Sequence, residues 1–489
     1  MRESRINTSG SSSIERTNYL DLRLVYARQL GDHAIGGQLM GNRTLRVLND
    51  ELPYAYQGVS AQATYNFKQK YYVELNAAYN GSENFPPDRR YGFFPSASAG
   101  WILSDEGFFP QGGFVDYLKL RGSFGIVGND KSGNDRWLYI SDYQNAEGYR
   151  IGVNNAWKSG FTEGRVGNGF VTWEKAHKAN VGFETAVLNN SLYLTFDLFQ
   201  EYRTDILTNP GTIPSYVGIA NLAPRNSGEV RNRGLDMELR YQKRFGDLHI
   251  FSNFTLTYTQ NEVLKNDQPN PAYPYQNLVG YPVGYQLGYR AIGFFKDAFD
   301  VMVSPEQNFD NQNIPGDLKF MDVNGDGIVD PLDRVPIQVH NIPNYMMGFS
   351  FGFNYKGFDA SFLLNSALGS LKYSRPRESD PLLNYTWTEE LGDNALMPVA
   401  KTSANNDQLS DFWVRPSDYL KLRNAEIGYT LPSQLVSRVK LKQVRFFMNG
   451  QNLAMWDNAW VKDRDPETNG GSFVYPIQRV INFGLNLGI

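Results

Sequence analysis

Large apolar residues alternate with small or polar residues along many stretches of this chain of 489 residues. From Met347 to Tyr355, Met, Phe and Tyr side chains occupy every second position, and Gly, Ser and Asn lie between them. The same alternation runs through 192–199 and 235–242. Because successive side chains of a strand point to opposite faces, the pattern predicts β-strands with one apolar and one polar face. The predicted fold class is therefore all-β.

About fifteen such strands are predicted, and most are joined in pairs by short turns rich in Gly, Asn or Lys, such as Gly31-Asp32 and Gly246-Asp247. The predicted strands are 18–30, 33–47, 54–68, 70–81, 92–104, 117–127, 173–188, 191–206, 229–245, 248–263, 343–356, 358–369, 418–430, 443–452 and 475–489. At their other ends lie long polar loops, at about 129–170, 264–342, 370–417 and 453–474. Short turns on one side and long loops on the other are typical of an outer-membrane β-barrel.

The composition excludes several classes of protein. With 47 Lys and Arg against 51 Asp and Glu, the chain lacks the basic footprint of a nucleic-acid-binding protein. It lacks an apolar run long enough for a membrane-spanning helix, whereas a membrane β-barrel needs only one apolar face per strand. There are no cysteines, so disulfides and thiolate metal sites are excluded. The four histidines and the serines show no zinc-binding or nucleophile spacing, so we predict no enzyme activity and no catalytic residue.

A soluble β-sandwich would show the same alternation, because its apolar face packs against a second sheet. Two features favour a membrane barrel. Charged residues cluster on the predicted polar face at Asp236, Glu238 and Arg240, which suits a water-filled lumen. Aromatic pairs such as Tyr71-Tyr72 and Phe93-Phe94 lie near strand ends, where barrels carry their aromatic girdles. We therefore interpret the chain as a transmembrane antiparallel β-barrel in contact with outer-membrane lipid.

Five segments carry a more specific resemblance. They are YGFFPSASAGWILSDEGFF at 91–109, VDYLKLRGSFGIVGND at 115–130, FMDVNGDGIVDPLDR at 320–334, DYLKLRNAEIGYTLP at 418–432 and PIQRVINFGLNLGI at 476–489. Together they resemble the SusC/RagA family, the TonB-dependent outer-membrane transporters of Bacteroidetes. The resemblance implies a partial barrel, with about 15 of an expected 22 strands and no plug domain. It divides the chain into 1–16, a disordered segment or loop remnant, and 17–489, the C-terminal portion of the barrel.

The same resemblance implies a function and partners. The expected function is import of an oligosaccharide or a peptide across the cell outer membrane. The expected partners are a SusD-like surface lipoprotein and the TonB complex, which would act only through the missing plug. As a fragment, the chain is expected to be inactive alone, and the residues that bind the substrate remain unassigned. The alternative is a secreted, calcium-stabilised all-β protein for carbohydrate binding or adhesion.

Residues Asp322 to Asp333 fit the spacing of a calcium-binding loop, D-x-[DN]-x-[DN]-G-x5-[DE]. The predicted ligands are Asp322, Asn324, Asp326, Ile328 through its carbonyl oxygen, Asp330 and Asp333. Calcium prefers six to eight oxygen ligands, and this loop offers side-chain oxygens at each position that needs one. A turn rich in Asp, Asn and Gly without a metal is the other interpretation. We favour a structural calcium ion that holds a long extracellular loop.

Aromatic residues in the predicted loops also allow two interpretations. They are Trp137, Tyr139, Trp157, Tyr273, Tyr275 and Trp387. Their rings would either stack on sugar rings or contact a partner, or they would pack the loops against one another.

Overall fold

A computed structural model describes residues 14–49, 53–110, 112–131, 136–213, 218, 221–307, 309, 312–338, 342–373, 381–400, 404–437, 441–458, 465–467 and 477–488. Within these ranges, fifteen long strands form one sheet, each antiparallel to its neighbours and in the order of the chain. The strands are β1 (Glu15–Leu30), β2 (His33–Leu48), β3 (Tyr54–Phe67), β4 (Tyr71–Ser82), β5 (Tyr91–Ile102), β6 (Val115–Asn129), β7 (Glu174–Val187), β8 (Leu192–Thr208), β9 (Arg225–Phe245), β10 (Leu248–Lys265), β11 (Tyr345–Tyr355), β12 (Phe358–Leu368), β13 (Tyr419–Thr430), β14 (Gln443–Asp457) and β15 (Val480–Gly488).

All fifteen predicted strands are confirmed, but some of their ends differ. β9 begins at Arg225 rather than at 229, and β14 continues to Asp457 rather than ending at 452. Of the predicted segment 1–16, residues 1–13 lie outside the described part of the chain. Its last two residues already belong to β1, which begins at Glu15. β1 pairs only with β2 and β15 only with β14 among the described strands, so the sheet has two open edges.

Exposure alternates along the strands and identifies the two faces of the sheet. Through most of β3 and β4, every second side chain is exposed and the side chains between them are half-buried. The exposed set is apolar, as at Val59 and Leu75, whereas Gln62 and Asn76 belong to the half-buried set. We call these sides the apolar face and the polar face. A sandwich buries its apolar face, so exposure of this face excludes the sandwich and agrees with an outer surface in lipid.

The short turns follow the chemistry predicted from the sequence. Gly31 and Gly246 have φ of 59° and 60°, a left-handed conformation that glycine adopts without steric cost. Lys356 and Gly357 both have positive φ, as the central residues of a tight hairpin turn require. These turns fix the register of the hairpins, for example Leu30 opposite His33.

The long loops contain short elements of their own. Their strands are Tyr143–Ile151, Ala156–Glu163, Tyr285–Gly288, Ala291–Phe294, Glu306–Gln307, Leu318–Phe320, Ile328–Val329, Val335–Gln338, Leu371–Tyr373 and Val414–Pro416. The α-helices of the described residues are Ala298–Val303 in a loop and Ser433–Val436 in the turn between β13 and β14. None of the helices in the described part of the chain has the length and apolar character needed to cross a membrane.

Two of these loops, 266–344 and 369–418, share one hydrophobic core, and we call them together the cap. The first loop contributes Tyr289, Phe294, Leu318, Phe320 and Val329, and the second contributes Trp387, Ala395, Met397 and Trp413. Buried hydrogen bonds also cross between them. Gln307 Nε2 donates to Asn405 Oδ1 at 2.6 Å, and Asn406 Nδ2 donates to Asp317 Oδ1 at 2.9 Å. The cap is therefore one packed unit built from two separate chain segments.

Candidate functional site

The polar face carries a network of ion pairs on three neighbouring strands. Arg121 of β6 contacts Glu184 of β7 at 3.2 Å and Asp197 of β8 at 2.6 Å, and Lys119 contacts Glu184 at 3.5 Å. The register places Gly182 between Arg121 and Asp197. A Cβ atom at Gly182 would lie 2.3 Å from Asp197 Oδ1, so the glycine leaves the space in which the two charges meet.

A second network lies nearer the other edge of the sheet. Arg445 of β14 pairs with Asp359 of β12 and with Glu426 of β13, and its contact with Glu426 measures 2.6 Å. Gly428 lies beneath the guanidinium group, where a Cβ atom would approach Arg445 Nη2 to 2.5 Å. Ion pairs on a half-buried face agree with the lumen of a barrel, where water and opposite charges offset desolvation.

Two cavities open on the polar face of β1–β7. A cavity of about 870 Å³ is lined by residues that include Glu74, Lys119 and Arg121. A second cavity of about 460 Å³ is lined by residues that include Gln62 and Asn76 and contains no charged side chain. The two differ in chemistry, because one offers paired charges and the other offers amides, hydroxyls and aromatic rings.

A segment of the last long loop is anchored on the polar face. Lys421 of β13 is almost fully buried and contacts Asp465 at 2.6 Å and Glu467 at 2.9 Å. Arg423 also pairs with Glu467, and Tyr419 donates a hydrogen bond to the same carboxylate. Burial alone would raise the pKa of Glu467, but the hydrogen bonds from Tyr419, Lys421 and Arg423 lower it to about 2. We call residues 465–467 the anchored segment.

The predicted calcium loop forms a compact turn in the cap. Asp322 accepts hydrogen bonds from the backbone N–H groups of Gly325 and Gly327, at 2.7 and 2.8 Å. Asn324 Oδ1 accepts from the N–H of Asp326, and Asp326 Oδ1 accepts from that of Ile328, both at 2.9 Å. The structure thus brings Asp322, Asn324 and Asp326 together around one turn. Each of their accepting oxygens retains a second lone pair.

Asp330 and Asp333 are placed differently. Asp330 caps the short helix 331–333 by accepting from the N–H of Leu332 at 2.7 Å. Asp333 is fully buried, and it accepts from the N–H groups of Val323, Asn324 and Asp330. Among the described residues, which include all of 322–333, no group of three or more His, Cys, Asp or Glu side chains is placed to hold a metal ion. The hydrogen bonds to Asp333 identify it as a structural cap of this turn.

The loop aromatics divide between packing and exposure. Trp387 is buried in the core of the cap, and Tyr139 packs against a second cluster that includes Phe85 and Trp173. Tyr273 and Tyr275 stack on each other with ring centroids 5.2 Å apart. The Tyr275 hydroxyl donates to the Leu332 carbonyl at 2.7 Å, and burial, together with the nearby carboxylate charges of Asp333 and Asp322, raises its pKa.

Two of the predicted loop aromatics remain. Trp137 lies under the guanidinium group of Arg136, which is 3.9 Å from the ring centroid. Trp157, on the hairpin 143–163, is 61% exposed. Packing therefore accounts for Trp387, Tyr139 and the tyrosine pair. Of the six predicted loop aromatics, only Trp157 has a largely free ring.

Sequence reasoning missed the polar residues that line the cavities and hold the anchored segment. Gln62, Asn76 and Lys421 lie at alternating polar positions of predicted strands. The alternation identifies the face on which each one lies. It does not show which residues are opposite one another, because that depends on the register of each pair of strands.

An antiparallel sheet that exposes its apolar face and pairs charges on its other face suits lipid outside and water inside. The fold and its polar face therefore define a class of protein, the transmembrane β-barrel. The chain belongs to the TonB-dependent receptor β-barrel family, whose sequence model, described as TonB dependent receptor-like, beta-barrel, matches residues 7–453. Members of this family lie in the outer membrane, and this localisation holds for the chain.

Relatives of known sequence and structure agree with this assignment. The TonB-dependent receptor P39 of Formosa agariphila is 26% identical over 90% of this chain and 46% of its own length. The TonB-dependent receptor SusC of Bacteroides thetaiotaomicron is 23% identical over 87% of this chain and 42% of its own length. The RagAB peptide transporter matches the fold with a TM-score of 0.74 and 18% identity, over 98% of this chain and 56% of that one. The chain spans about half the length of these relatives.

Proposed function

We propose that the chain forms the wall and the extracellular loops of an outer-membrane importer for oligosaccharides or peptides. The observation that carries the proposal is the polar face, on which charges are paired across strands and two cavities open. Solutes that cross the membrane through a barrel meet this face. The similarity to SusC and to the RagAB peptide transporter supports the same function.

In this proposal the chain works with two partners. A SusD-like surface lipoprotein would cover the extracellular side, where the cap and the other long loops lie. The TonB complex would act through a plug domain rather than through the barrel wall. The fifteen strands alone are then expected to be inactive in transport.

Deletion of the gene in its host tests the proposal. Cells without the protein should lose accumulation of a class of labelled oligosaccharide or peptide, and the intact gene should restore it. The protein should also co-purify with a surface lipoprotein when outer membranes are extracted with mild detergent. Unchanged accumulation of every oligosaccharide and peptide supplied would contradict the import function.

We also propose that the loop 322–333 binds calcium, with Asp322, Asn324, Asp326 and the Ile328 carbonyl as its ligands. The spacing of these residues supports the proposal, as does the turn that brings their side chains together. The ion would stiffen the loop between two elements of the cap. Asp333 would contribute through its bonds to the backbone rather than as a ligand.

Variants at Asp322 and Asp333 separate these two roles. Calcium should raise the temperature at which the cap of the parent protein unfolds, and Asp322→Asn should remove this response. Asp333→Asn should instead lower stability with or without calcium, by about 1–3 kcal/mol, because an amide would face N–H donors. Unfolding followed in calcium and in a chelator provides the measurement. A parent protein that unfolds identically in both would show that the loop is a metal-free turn.

A further inference from the structure

Arg233 of β9 lies on the apolar face of the sheet. It shares this face with Leu235, and the register of β3–β9 joins both to the exposed apolar side chains of β3 and β4. The next residue along this face, Arg231, pairs with Glu262 of β10 at 2.7 Å. Arg233 is exposed and has no hydrogen-bond or ion-pair partner among the described residues. Its charge is therefore balanced by no part of the chain that the structure describes.

Arg233 borders a groove of about 640 Å³ on the apolar face, which we call the outer groove. Four of the residues that line the outer groove form an apolar row across β7–β10, in which each lies directly opposite the next. They are Val181, Leu198, Leu235 and Tyr258. Val181 is 67% exposed and Leu198 is 53% exposed, although neither side chain carries a polar atom. On the outside of a membrane barrel, such side chains contact acyl chains.

A second row of the outer groove is polar and lies nearer the cap. Gln200, Arg233 and Gln260 are directly opposite one another on β8–β10, and all three are exposed. Between Arg233 and Phe245, where β9 ends, a tilted strand rises by about 30 Å. The apolar band of an outer-membrane barrel is about 25 Å tall. The polar row therefore lies at the extracellular interface of the membrane, and the apolar row lies one step deeper.

We propose that the outer groove binds one phosphorylated glycolipid of the outer leaflet, with an acyl chain on the apolar row and a phosphate group at Arg233. A guanidinium group binds phosphate through two parallel hydrogen bonds. The side-chain amides of Gln200 and Gln260 can donate to other oxygens of the headgroup. The inference concerns the outside of the barrel, so it does not depend on the proposed import function.

The order of the two rows favours a lipid over free phosphate or a protein. An acyl chain runs from its headgroup towards the middle of the membrane, which is also the direction from the polar row to the apolar row. Free phosphate would contact Arg233 alone and leave the apolar row without a partner. A protein would need a carboxylate opposite Arg233 together with apolar side chains below it, whereas a phosphorylated lipid offers both in one molecule and surrounds the barrel.

Native mass spectrometry of the full protein, extracted from outer membranes in mild detergent, measures the lipid that stays bound. The parent should retain one lipid A molecule, and Arg233→Gln should lower the retained fraction about tenfold. Arg43→Gln is the matched control. Arg43 is exposed on the apolar face of β2, opposite Gln57, and lies outside the outer groove. This variant should retain lipid as the parent does.

Filling the outer groove provides a second, independent measurement. Leu198→Trp places a bulky ring on the apolar row and leaves Arg233 unchanged. It should also lower lipid retention about tenfold, because the ring and the acyl chain would occupy the same space. Val59→Trp, at an exposed site on the apolar face of β3, is the control and should have no effect. Both tryptophan variants should keep heat-modifiable gel mobility, since exposed side chains contribute little to stability.

Additions to delipidated protein identify the bound group. Lipid A should bind to the parent about tenfold more tightly than its dephosphorylated form, and Arg233→Gln should remove this difference. Inorganic phosphate at the same concentration should not compete. Equal binding of both lipid forms would overturn the phosphate contact, and competition by phosphate would show an anion site without an acyl chain.

Two further outcomes would overturn the lipid assignment. Equal lipid retention by the parent, Arg233→Gln and Leu198→Trp would show that the lipid binds elsewhere on the barrel. Lipid-free dimers of the parent that dissociate in Arg233→Gln would identify a second copy of the protein as the occupant of the outer groove. Neither outcome bears on import, which is measured separately in cells.

Discussion

Glycines on the polar face determine which side chains can cross from one strand to the next. Gly182 lies beneath the carboxylate of Asp197, and Gly234 lies beneath the ring of Phe199. The same arrangement recurs where Phe447 covers Gly484. A ring that covers a glycine replaces the packing that the missing side chain would have provided.

Gly234→Ala tests how closely these strands are packed. A Cβ atom at Gly234 would lie 2.1 Å from the carbonyl oxygen of Tyr258, which is backbone and cannot rotate away. We expect a loss of about 1–3 kcal/mol of unfolding free energy, measured with urea after reconstitution. Gly41→Ala is the matched control, because nothing lies within 4 Å of its added atom, and it should stay within about 0.5 kcal/mol. Equal stability of the two variants would refute the packing argument.

Residues that could bind a metal ion were easier to recognise in the sequence than the groups with which they form hydrogen bonds. The spacing of Asp322, Asn324 and Asp326 predicted that they would meet in one turn, since they lie within five residues. The role of Asp333 as a buried cap was not predictable, because it depends on how the turn presents the N–H groups of Val323 and Asn324. Local spacing fixes local geometry, whereas hydrogen-bond partners depend on the folded backbone.

Among the elements, strand centres were predicted well and strand ends less well, and β-bulges explain the difference. The predicted start of the ninth strand at 229 coincides with a register shift between Glu229 and Val230. The predicted end of the fourteenth strand, at 452, coincides with Asn452, whose backbone φ is 51°. A bulge reverses the alternation of faces, so a pattern of period two stops there although the strand continues.

Trp413 tests whether the cap is a single unit. Its side chain is 2% exposed and lies in the core shared by the loops 266–344 and 369–418. Trp413→Ala should cost the cap about 3–5 kcal/mol and increase hydrogen exchange in both loops. Trp157→Ala, at an exposed site, is the control and should leave exchange in the cap unchanged. Faster exchange confined to 369–418 would show that the loops are independent.

The anchored segment should respond to acid in a defined direction. The pKa of Glu467 falls from its ordinary value of 4.5 to about 2, so its contribution to anchoring is complete above about pH 4.5 and is lost as the pH falls towards 2. Hydroxyl-radical footprinting of the buried Pro466 should therefore show protection at neutral pH and exposure only in strong acid. Lys421→Met should expose Pro466 at neutral pH. Release of the segment near pH 6 in the parent protein would contradict this assignment.

For the whole molecule, the open edges of the sheet govern assembly. The outer edges of β1 and β15 have no neighbouring strand among the described residues, and unpaired backbone groups cost several kcal/mol each in lipid. We expect that the 489-residue chain, exported alone, aggregates or requires a complementary fragment. Outer-membrane fractionation and heat-modifiable gel mobility provide the measurement. A stable, heat-modifiable monomer formed without any other fragment would contradict the edge argument.

At this scale the sequence was most informative about architecture. Alternation, short turns and long loops predicted the antiparallel sheet and the side on which its loops lie. The cap was not predictable, because Trp387 and Trp413 meet Tyr289 and Phe320 from segments that are far apart in sequence. Such contacts leave no periodic signal in either segment.

The shared core of the cap also constrains how related genes can exchange parts. A crossover within β11 or β12 would take one cap loop from each parent. Phe320 would then come from one parent and Trp413 from the other, although both belong to one core. Crossovers before 266 or after 418 keep both loops from a single parent. Recombination among relatives should therefore transfer the two loops together, as one cassette, even though two complete strands of the barrel lie between them.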